Sequence, residues 1–171
     1  MDKDFKKKLQ NISPRGLKCT CYRAIAKQYD DPLSTKGNEG VSGRWHIKGE
    51  FNALYLCESK KVCIEELKRK VEDETIIENL FNIFEIEIDF SLIFDLTSEE
   101  NLKMLGITED KLLAGSIVRP DEIKLPNSIA RAAYELGFEG MLVKSATMTG
   151  NNIVLFPKNK LKKSSIKVNK K

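Results

Sequence analysis

The sequence predicts an α+β fold, because strand patterns open and close the chain while helix patterns fill its middle. Hydrophobic side chains occupy every second position from Phe84 to Leu96, which is typical of a long strand with one buried face. Helical spacing over residues 60–72 places Cys63 and Leu67 on one apolar stripe. The chain has 171 residues, of which 41% are hydrophobic and 32% charged, as expected of one globular domain.

The first half of the chain predicts a helix, two strands and an unusually long loop. Residues 3–10 form a lysine-rich helix that the breakers in 11–14 end, and residues 19–26 form the first strand. The polar stretch that follows, through Trp45, is long enough to predict a loop that covers a ligand. Residues 51–55 then form a strand that enters the core.

The second half predicts two short helices, one longer helix and two final strands. Thr97 and Glu100 fit a capping box, which begins a helix that ends near Gly106. The other predicted elements are a helix from Thr108 to about Gly115, a helix from Asn127 or Ser128 to Gly137, and strands at 141–144 and 152–156. No glycine-rich turn joins a strand to a helix, which excludes the Rossmann and P-loop folds.

The basic residues behind the net charge of +4 lie at the two ends of the chain, mostly at the C-terminal end. Residues 158–171 hold seven of the 29 basic residues and no acid, so the body of the chain is mildly acidic. We therefore predict one domain over 15–157, an N-terminal helix within 1–14 and a flexible basic tail over 158–171. A non-catalytic module that binds nucleic acid or a partner through this tail is the alternative.

Localisation and metal content are also predicted from the sequence. No apolar run is long enough to span a membrane and the N-terminus has no secretory signal, so we expect a cytoplasmic protein with reduced cysteines. His46 is the only histidine, and the four cysteines lack the spacing of a zinc site. We therefore expect no metal.

The candidate site combines two arginines, one aromatic residue and one carboxylate. Arg23 lies within a strand, Arg44 precedes the only tryptophan, and Tyr55 ends the next strand. Glu66 borders the buried stripe of the following helix, whereas Glu65 points to solvent. These residue types suit a ligand with phosphates, a flat ring and a developing positive charge. The alternative is an ion pair of Arg23 with Glu66 at the edge of the core, with Tyr55 as ordinary core.

Three segments together resemble the RES-domain family, which comprises NAD⁺-degrading toxins of bacterial toxin–antitoxin pairs. They are YRAIA, then LSTKGNEGVSGRWHIKGEFNALYLCESKKVCIEEL, then IARAAYELGFEGMLVKSATMTGNNIVLF, and they cover most of the chain from Tyr22 to Phe156 in the order of the family. The resemblance implies a fold similar to that of ADP-ribosyltransferases, in which two small sheets and surrounding helices form an NAD⁺ cleft.

Site residues follow from the resemblance position by position. The implied catalytic residues are Glu66, Arg23, Arg44 and Tyr55, and the implied NAD⁺-binding residues are Arg23, Arg44, Tyr55, Ser145 and Asn152. Three positions depart from the family pattern: Ser42 replaces a glycine, His46 stands where asparagine is common, and Lys144 replaces a usual proline. Ser42 raises a question about the loop, because serine seldom adopts the positive φ that glycine tolerates.

The resemblance also implies a reaction and a partner. Glu66 is expected to stabilise an oxocarbenium-like ribose while nicotinamide leaves. The two arginines are expected to bind the pyrophosphate. Tyr55 is expected to pack against the nicotinamide or its ribose, and Ser145 to form a hydrogen bond on the nicotinamide side. Phosphate is the expected acceptor ahead of water, and NAD⁺ depletion would arrest growth. The alternative enzyme is a mono-ADP-ribosyltransferase that modifies a protein. NAD⁺ is a substrate here, so no cofactor is expected, and the implied partner is a helix-turn-helix antitoxin that blocks the cleft.

Overall fold

A β-sheet flanked by helices organises the chain in the computed structural model, which describes residues 2–69, 71, 73–113 and 123–169. The strands are β1 (Arg15–Ala26), β2 (Leu54–Cys57), β3 (Phe81–Asp95), β4 (Gly140–Lys144), β5 (Asn151–Leu155) and β6 (Ser165–Val168). The helices are α1 (Asp2–Leu9), α2 (Lys60–Lys68), α3 (Glu74–Leu80), α4 (Glu99–Leu105), α5 (Glu109–Leu113) and α6 (Lys124–Glu135). The α+β prediction is confirmed.

The strand order is β1-β2-β5-β4-β3-β6, and β1 also pairs with β3. Tyr22 on β1 is the point where the sheet closes, because it pairs with Cys57 of β2 on one side and Glu85 of β3 on the other. The expectation of two small sheets is therefore corrected: backbone pairings join the described strands into one continuous sheet.

The long strand β3 holds this arrangement together. Its side chains alternate between buried and exposed positions from Ile86 to Phe90, as the sequence predicts. One edge of β3 pairs with β1 over most of its length, while the other edge pairs first with β6 and then, in parallel, with β4. A strand of 15 residues is long enough to take part in both sets of pairings.

Two apolar clusters form the core, and the larger one includes the N-terminal helix. Phe5 and Leu9 of α1 are buried in it together with Ile129 and Ala133 of α6. The smaller cluster is made of side chains from β1 to β5 and contains Cys21. Helix α1 is thus packed into the domain. All four cysteines are free thiols.

Several helix boundaries differ from those predicted. Ser98 rather than Thr97 caps α4, because the Ser98 hydroxyl accepts from the backbone N–H of Asn101. Helix α6 begins at Lys124, so Asn127 lies inside the helix instead of capping it. Helix α3 is missing from the sequence prediction, and the predicted end of α5 near Gly115 lies outside the described residues.

The prediction of a flexible C-terminal tail is wrong for the described part of that segment. Residues 165–168 form β6, which pairs antiparallel with β3 between Ile86 and Asp89. The buried carboxylate of Glu139 fixes the connection, since it accepts hydrogen bonds from the backbone N–H groups of Leu161, Ser91 and Leu92. The lysines of this segment predicted a solvated, flexible tail, but the strand pairing and the hydrogen bonds to Glu139 hold it in the fold.

Within the described residues, none of the helices has the length and apolar character that a membrane crossing requires.

Candidate functional site

A cleft of about 460 Å³ opens where β1, β2, α2 and the long loop meet the ends of β4 and β5. Five of the six predicted site residues line it: Arg23, Arg44, Tyr55, Glu66 and Asn152. The remaining lining includes Asn38, Gly43, Trp45, His46, Cys57, Cys63, Arg69, Lys144 and Ala146. The sixth predicted residue, Ser145, is fully buried beside the cleft.

Glu66 faces the cleft because of how α2 docks. Ser59 caps the helix by accepting from the backbone N–H of Val62, and the buried side chains of Val62 and Cys63 fix its first turn against the core. One turn later Glu66 points inward with 26% of its side chain exposed, whereas Glu65 pairs with Lys68 instead. Glu66 lines the cleft, in agreement with its selection from the helical wheel, but the expectation that Glu65 points to solvent is wrong, since only 31% of its side chain is exposed.

Two side chains at the neighbouring strands β4 and β5 hold the same oxygen of Glu66. Ser145 Oγ donates to Glu66 Oε1 at 2.6 Å, and Asn152 Nδ2 donates to it at 2.8 Å. Ser145 follows β4 and Asn152 lies in β5, and the pairing of these two strands brings them to one place. The other carboxylate oxygen, Oε2, lies 3.4 Å from Arg69 Nη1. The carboxylate is therefore held at both oxygens.

The structure places Ser145 beside the cleft and outside its lining. The resemblance implied a contact with the nicotinamide side of a ligand, yet the Ser145 hydroxyl is buried and its proton is directed to Glu66. Beside it, the amide oxygen of Asn152 is buried with no hydrogen-bond partner among the described residues. Buried acceptors without a partner are uncommon, so each calls for an explanation.

Arg23 is half-buried in β1 and reaches the wall of the cleft. Its Nη1 donates to the carbonyl oxygen of Pro32, which anchors the start of the long loop. Burial lowers the pKa of Arg23, and the nearby charge of Asp31 acts in the opposite direction. The alternative of an Arg23–Glu66 ion pair is wrong, since the ion pair of Glu66 is with Arg69.

Arg44 sits in a loop whose backbone is fixed from two sides. The backbone N–H of Trp45 donates to Tyr55 Oη at 3.1 Å, and the Trp45 ring is buried in the larger apolar cluster. The side-chain amide of Asn127 donates to the carbonyl oxygens of Gly43 and Arg44. Gly43 has no room for a side chain, because a Cβ there would clash with the imidazole of His46.

His46 replaces the common asparagine and connects Tyr55 to the loop. Its Nε2 lies 3.0 Å from the carbonyl oxygen of Val41, which can only accept, so Nε2 carries the proton. In the neutral ring Nδ1 is then the acceptor for the Tyr55 hydroxyl at 2.9 Å. Burial lowers the pKa of His46, which favours this neutral form. The Tyr55 hydroxyl thus donates to His46 and accepts from Trp45, both in the loop, and burial raises its pKa.

The question about Ser42 is resolved by its backbone. Met148 is the one non-glycine residue with a positive φ in the described part of the chain, so Ser42 has an ordinary conformation. Its hydroxyl accepts from the backbone N–H of Lys48 and helps to close the loop.

Sequence reasoning missed Arg69, Lys144 and Asn127 as parts of this region. Arg69 lies three residues after Glu66, a helical spacing that could have indicated it. Lys144 adjoins the predicted Ser145, and its replacement of a proline was the available signal. Asn127 gave no signal, because its role depends on a contact 84 residues away along the chain.

The assembled cleft can bind an anion beside a carboxylate that stabilises positive charge. The lining of the cleft that holds Glu66 also includes four cationic side chains, those of Arg23, Arg44, Arg69 and Lys144. Guanidinium groups bind phosphate through paired hydrogen bonds. A partly desolvated carboxylate interacts more strongly with an adjacent cationic centre than it would in water. The two features together fit a substrate with phosphates that becomes cationic during reaction.

Comparisons with known proteins agree with this geometry. The family model described as "RES domain" matches residues 20–169. NAD(+) phosphorylase MbcT of Mycobacterium bovis and of Mycobacterium tuberculosis is 27% identical over 150 residues, covering 83% of this chain and 77% of that protein. The crystal structure of the M. tuberculosis MbcT–MbcA toxin–antitoxin complex matches with a TM-score of 0.78 and 21% identity, over 98% of this chain and 90% of that chain. At that identity the structural likeness establishes the shared fold.

Proposed function

The chain belongs to the RES domain family, and from this membership we propose that it is a toxin that degrades NAD⁺ by cleaving the nicotinamide–ribose bond, with inorganic phosphate as the acceptor. The observation that carries the proposal is the carboxylate of Glu66, held by Ser145 and Asn152 in a cleft lined by four cations. A relative that covers most of the chain is named NAD(+) phosphorylase, which supports phosphate over water.

In the proposed reaction Glu66 faces the nicotinamide ribose. As the bond from the anomeric carbon to nicotinamide breaks, its electron pair leaves on the nicotinamide nitrogen and the ribose becomes oxocarbenium-like. The carboxylate stabilises that charge, and its hydrogen bonds from Ser145 and Asn152 keep it in place before the reaction begins. An oxygen of phosphate then bonds to the anomeric carbon, which gives ADP-ribose 1″-phosphate and neutral nicotinamide.

Arg23 and Arg44 bind the pyrophosphate in this proposal. Arg23 keeps further guanidinium N–H groups beyond the one that Pro32 accepts, and Arg44 projects from a loop with a fixed backbone. The ring of Tyr55 packs against the nicotinamide or its ribose, since its hydroxyl is committed to His46 and Trp45. Ser145 acts through Glu66.

The fold supports two finer statements about architecture and partner. The first is that the single sheet, closed by the pairing of β1 with both β2 and β3, is related to the fold of ADP-ribosyltransferases. An antitoxin with a helix-turn-helix part would block the cleft, and the similar fold of a toxin solved in a toxin–antitoxin complex supports such a partner. The toxin would act on cytoplasmic NAD⁺, and depletion would stop growth.

Product analysis tests the acceptor. Purified protein is incubated with NAD⁺ with and without millimolar phosphate, and the products are resolved by mass spectrometry. We expect nicotinamide and ADP-ribose 1″-phosphate, with a rate that rises with phosphate concentration. ADP-ribose at a phosphate-independent rate would establish hydrolysis instead, and a mass increase on an added protein would establish ADP-ribosyl transfer to protein. Survival of NAD⁺ under both conditions would contradict the proposal.

A further inference from the structure

Helix α6 contributes no residue to the described lining of the cleft, yet one of its side chains reaches the loop that carries Arg44. Asn127 Nδ2 lies 2.7 Å from the carbonyl oxygen of Gly43 and 2.8 Å from that of Arg44. These two carbonyls belong to the peptide units on either side of the Arg44 Cα. A single amide group therefore fixes both peptide planes from which the guanidinium projects.

The second of these peptide units is held at its other end as well. Its carbonyl accepts from Asn127, and its N–H, which belongs to Trp45, donates to Tyr55. Both polar groups of the unit are thus bound to side chains from other elements, α6 and β2. With both flanking peptide units fixed, the backbone of Arg44 needs no further ordering when a ligand binds. A residue whose backbone is ordered in advance avoids the entropic cost of ordering it at the moment of binding.

Docking of the loop on α6 does not depend on Asn127 alone. Arg131, one turn further along the helix, forms two hydrogen bonds of 2.7 Å with Glu50, and the ring of Phe51 stacks on Tyr134 at 4.6 Å. These contacts hold the end of the loop rather than the peptides next to Arg44. Asparagine is also a weak helix former, so its presence within α6 is not explained by helix stability.

We infer that Asn127 is a positioning residue for Arg44: its amide fixes the two flanking peptides so that the guanidinium is preorganised for the phosphates of the substrate. The inference rests on the proposed function, because it assigns Arg44 to substrate binding. It predicts that loss of the amide weakens NAD⁺ binding more than it slows the chemical step.

The chain contains a matched control for this inference. Asn159 Nδ2 likewise donates to two carbonyl oxygens, those of Tyr134 and Phe138, both at 2.8 Å. These two hydrogen bonds lie at the C-terminal end of α6, and Asn159 is absent from the lining of the cleft. Asn127→Ala and Asn159→Ala therefore remove the same kind of interaction, one beside Arg44 and one away from it.

The experiment measures Tm and the kinetics of NAD⁺ consumption for five proteins. They are the wild type, the two alanine variants, Arg44→Met and the double variant Asn127→Ala/Arg44→Met. Both alanine variants should lose similar stability. We expect Asn127→Ala to raise KM for NAD⁺ about tenfold with a smaller change in kcat, Asn159→Ala to leave KM unchanged, and the double variant to be no worse than Arg44→Met. Trypsin should also cleave after Arg44 faster in Asn127→Ala than in Asn159→Ala.

Several results would overturn the inference. Equal KM values for the two alanine variants, or additive losses in the double variant, would make Asn127 a structural residue only. Asn127→Asp, which keeps the shape but cannot donate, replaces Asn127→Ala if the latter fails to fold, and the same KM increase is expected. A wild-type chain that consumes no NAD⁺ would refute the proposed function and this inference with it, whereas an active chain with unchanged KM in the variants would refute the inference alone.

Discussion

Ser145 Oγ donates a 2.6 Å hydrogen bond to Glu66 Oε1, although the two residues are 79 positions apart in the chain. The bond connects the turn after β4 to the inner face of α2. Because the hydroxyl is buried, it is directed to the carboxylate and not to solvent. Glu66 is therefore oriented by the sheet as well as by its own helix, as expected of a carboxylate that must meet a developing charge in a fixed geometry.

Removal of the Ser145 hydroxyl should slow the proposed reaction without abolishing it. Hydrogen bonds to charged groups contribute about 1.5–3 kcal/mol, and Asn152 still holds the same oxygen in Ser145→Ala. We expect kcat/KM for NAD⁺ to fall roughly tenfold to a hundredfold. Thr149→Ala, at the exposed outer end of the same chain of hydroxyls, is the control and should keep wild-type kinetics. Wild-type kinetics in Ser145→Ala would show that the bond does not matter for turnover.

Gly43→Ala should disrupt the loop that carries Arg44. A Cβ at position 43 would clash with the imidazole of His46 and crowd the hydroxyl of Tyr55, so the loop must shift. We expect at least a tenfold rise in KM for NAD⁺ from steady-state rates, with a modest fall in Tm. Gly40→Ala is the matched control, since a Cβ at Gly40 meets no atom within 4 Å. Similar kinetics for both variants would contradict the assigned packing.

Glu139 should make stability depend on pH. Burial alone would raise its pKa, but the hydrogen bonds that its carboxylate accepts hold the pKa below the usual 4.5. Since the folded pKa lies below the unfolded value, the ionised carboxylate stabilises the fold above about pH 4.5, and this contribution is lost as the pH falls through the folded pKa.

Glu139→Gln should therefore lower the free energy of unfolding near neutral pH by about 2–3 kcal/mol, because the amide nitrogen cannot accept from the backbone N–H groups. The difference from wild type should shrink as the pH falls below 4.5 in urea titrations. Glu135→Gln, which removes an exposed ion pair with Lys6, should change stability by less than about 1 kcal/mol. A pH-independent difference for Glu139→Gln would refute this account.

The lysines near the C-terminus should be dispensable for NAD⁺ consumption. Lys162 and Lys163 are exposed and absent from the lining of the cleft, so replacing both with glutamine should leave kcat/KM within about twofold of wild type, as followed by NAD⁺ loss. If their replacement abolished the activity of the protein while Glu66→Ala did not, the alternative of a module that binds through its tail would be favoured.

Local patterns in the sequence predicted much of the fold but not the contacts between residues far apart in the chain. The alternation from Phe84 to Leu96 identified β3, and the wheel around Cys63 selected Glu66, because both depend on neighbouring residues. The pairing of Tyr22 with both Cys57 and Glu85 depends on residues far apart in the chain. The ordered segment before β6 likewise depends on Glu139, so its lysines gave the wrong indication.

The site shows the same division. The resemblance placed Arg23, Arg44, Tyr55, Glu66, Ser145 and Asn152 in one region, and the structure brings them together. The buried position of Ser145 and the contact of Asn127 with the arginine loop could not be predicted, because each is made by tertiary packing between elements.

The most direct test of the central claim compares two neighbouring carboxylates. Nicotinamide release from NAD⁺ is measured in millimolar phosphate for the wild type, Glu66→Gln and Glu65→Gln, each at matched stability. We predict that Glu66→Gln lowers kcat at least a hundredfold, since the neutral amide cannot stabilise the cationic ribose, whereas Glu65→Gln keeps wild-type turnover. Equal rates for the wild type and Glu66→Gln would contradict the account.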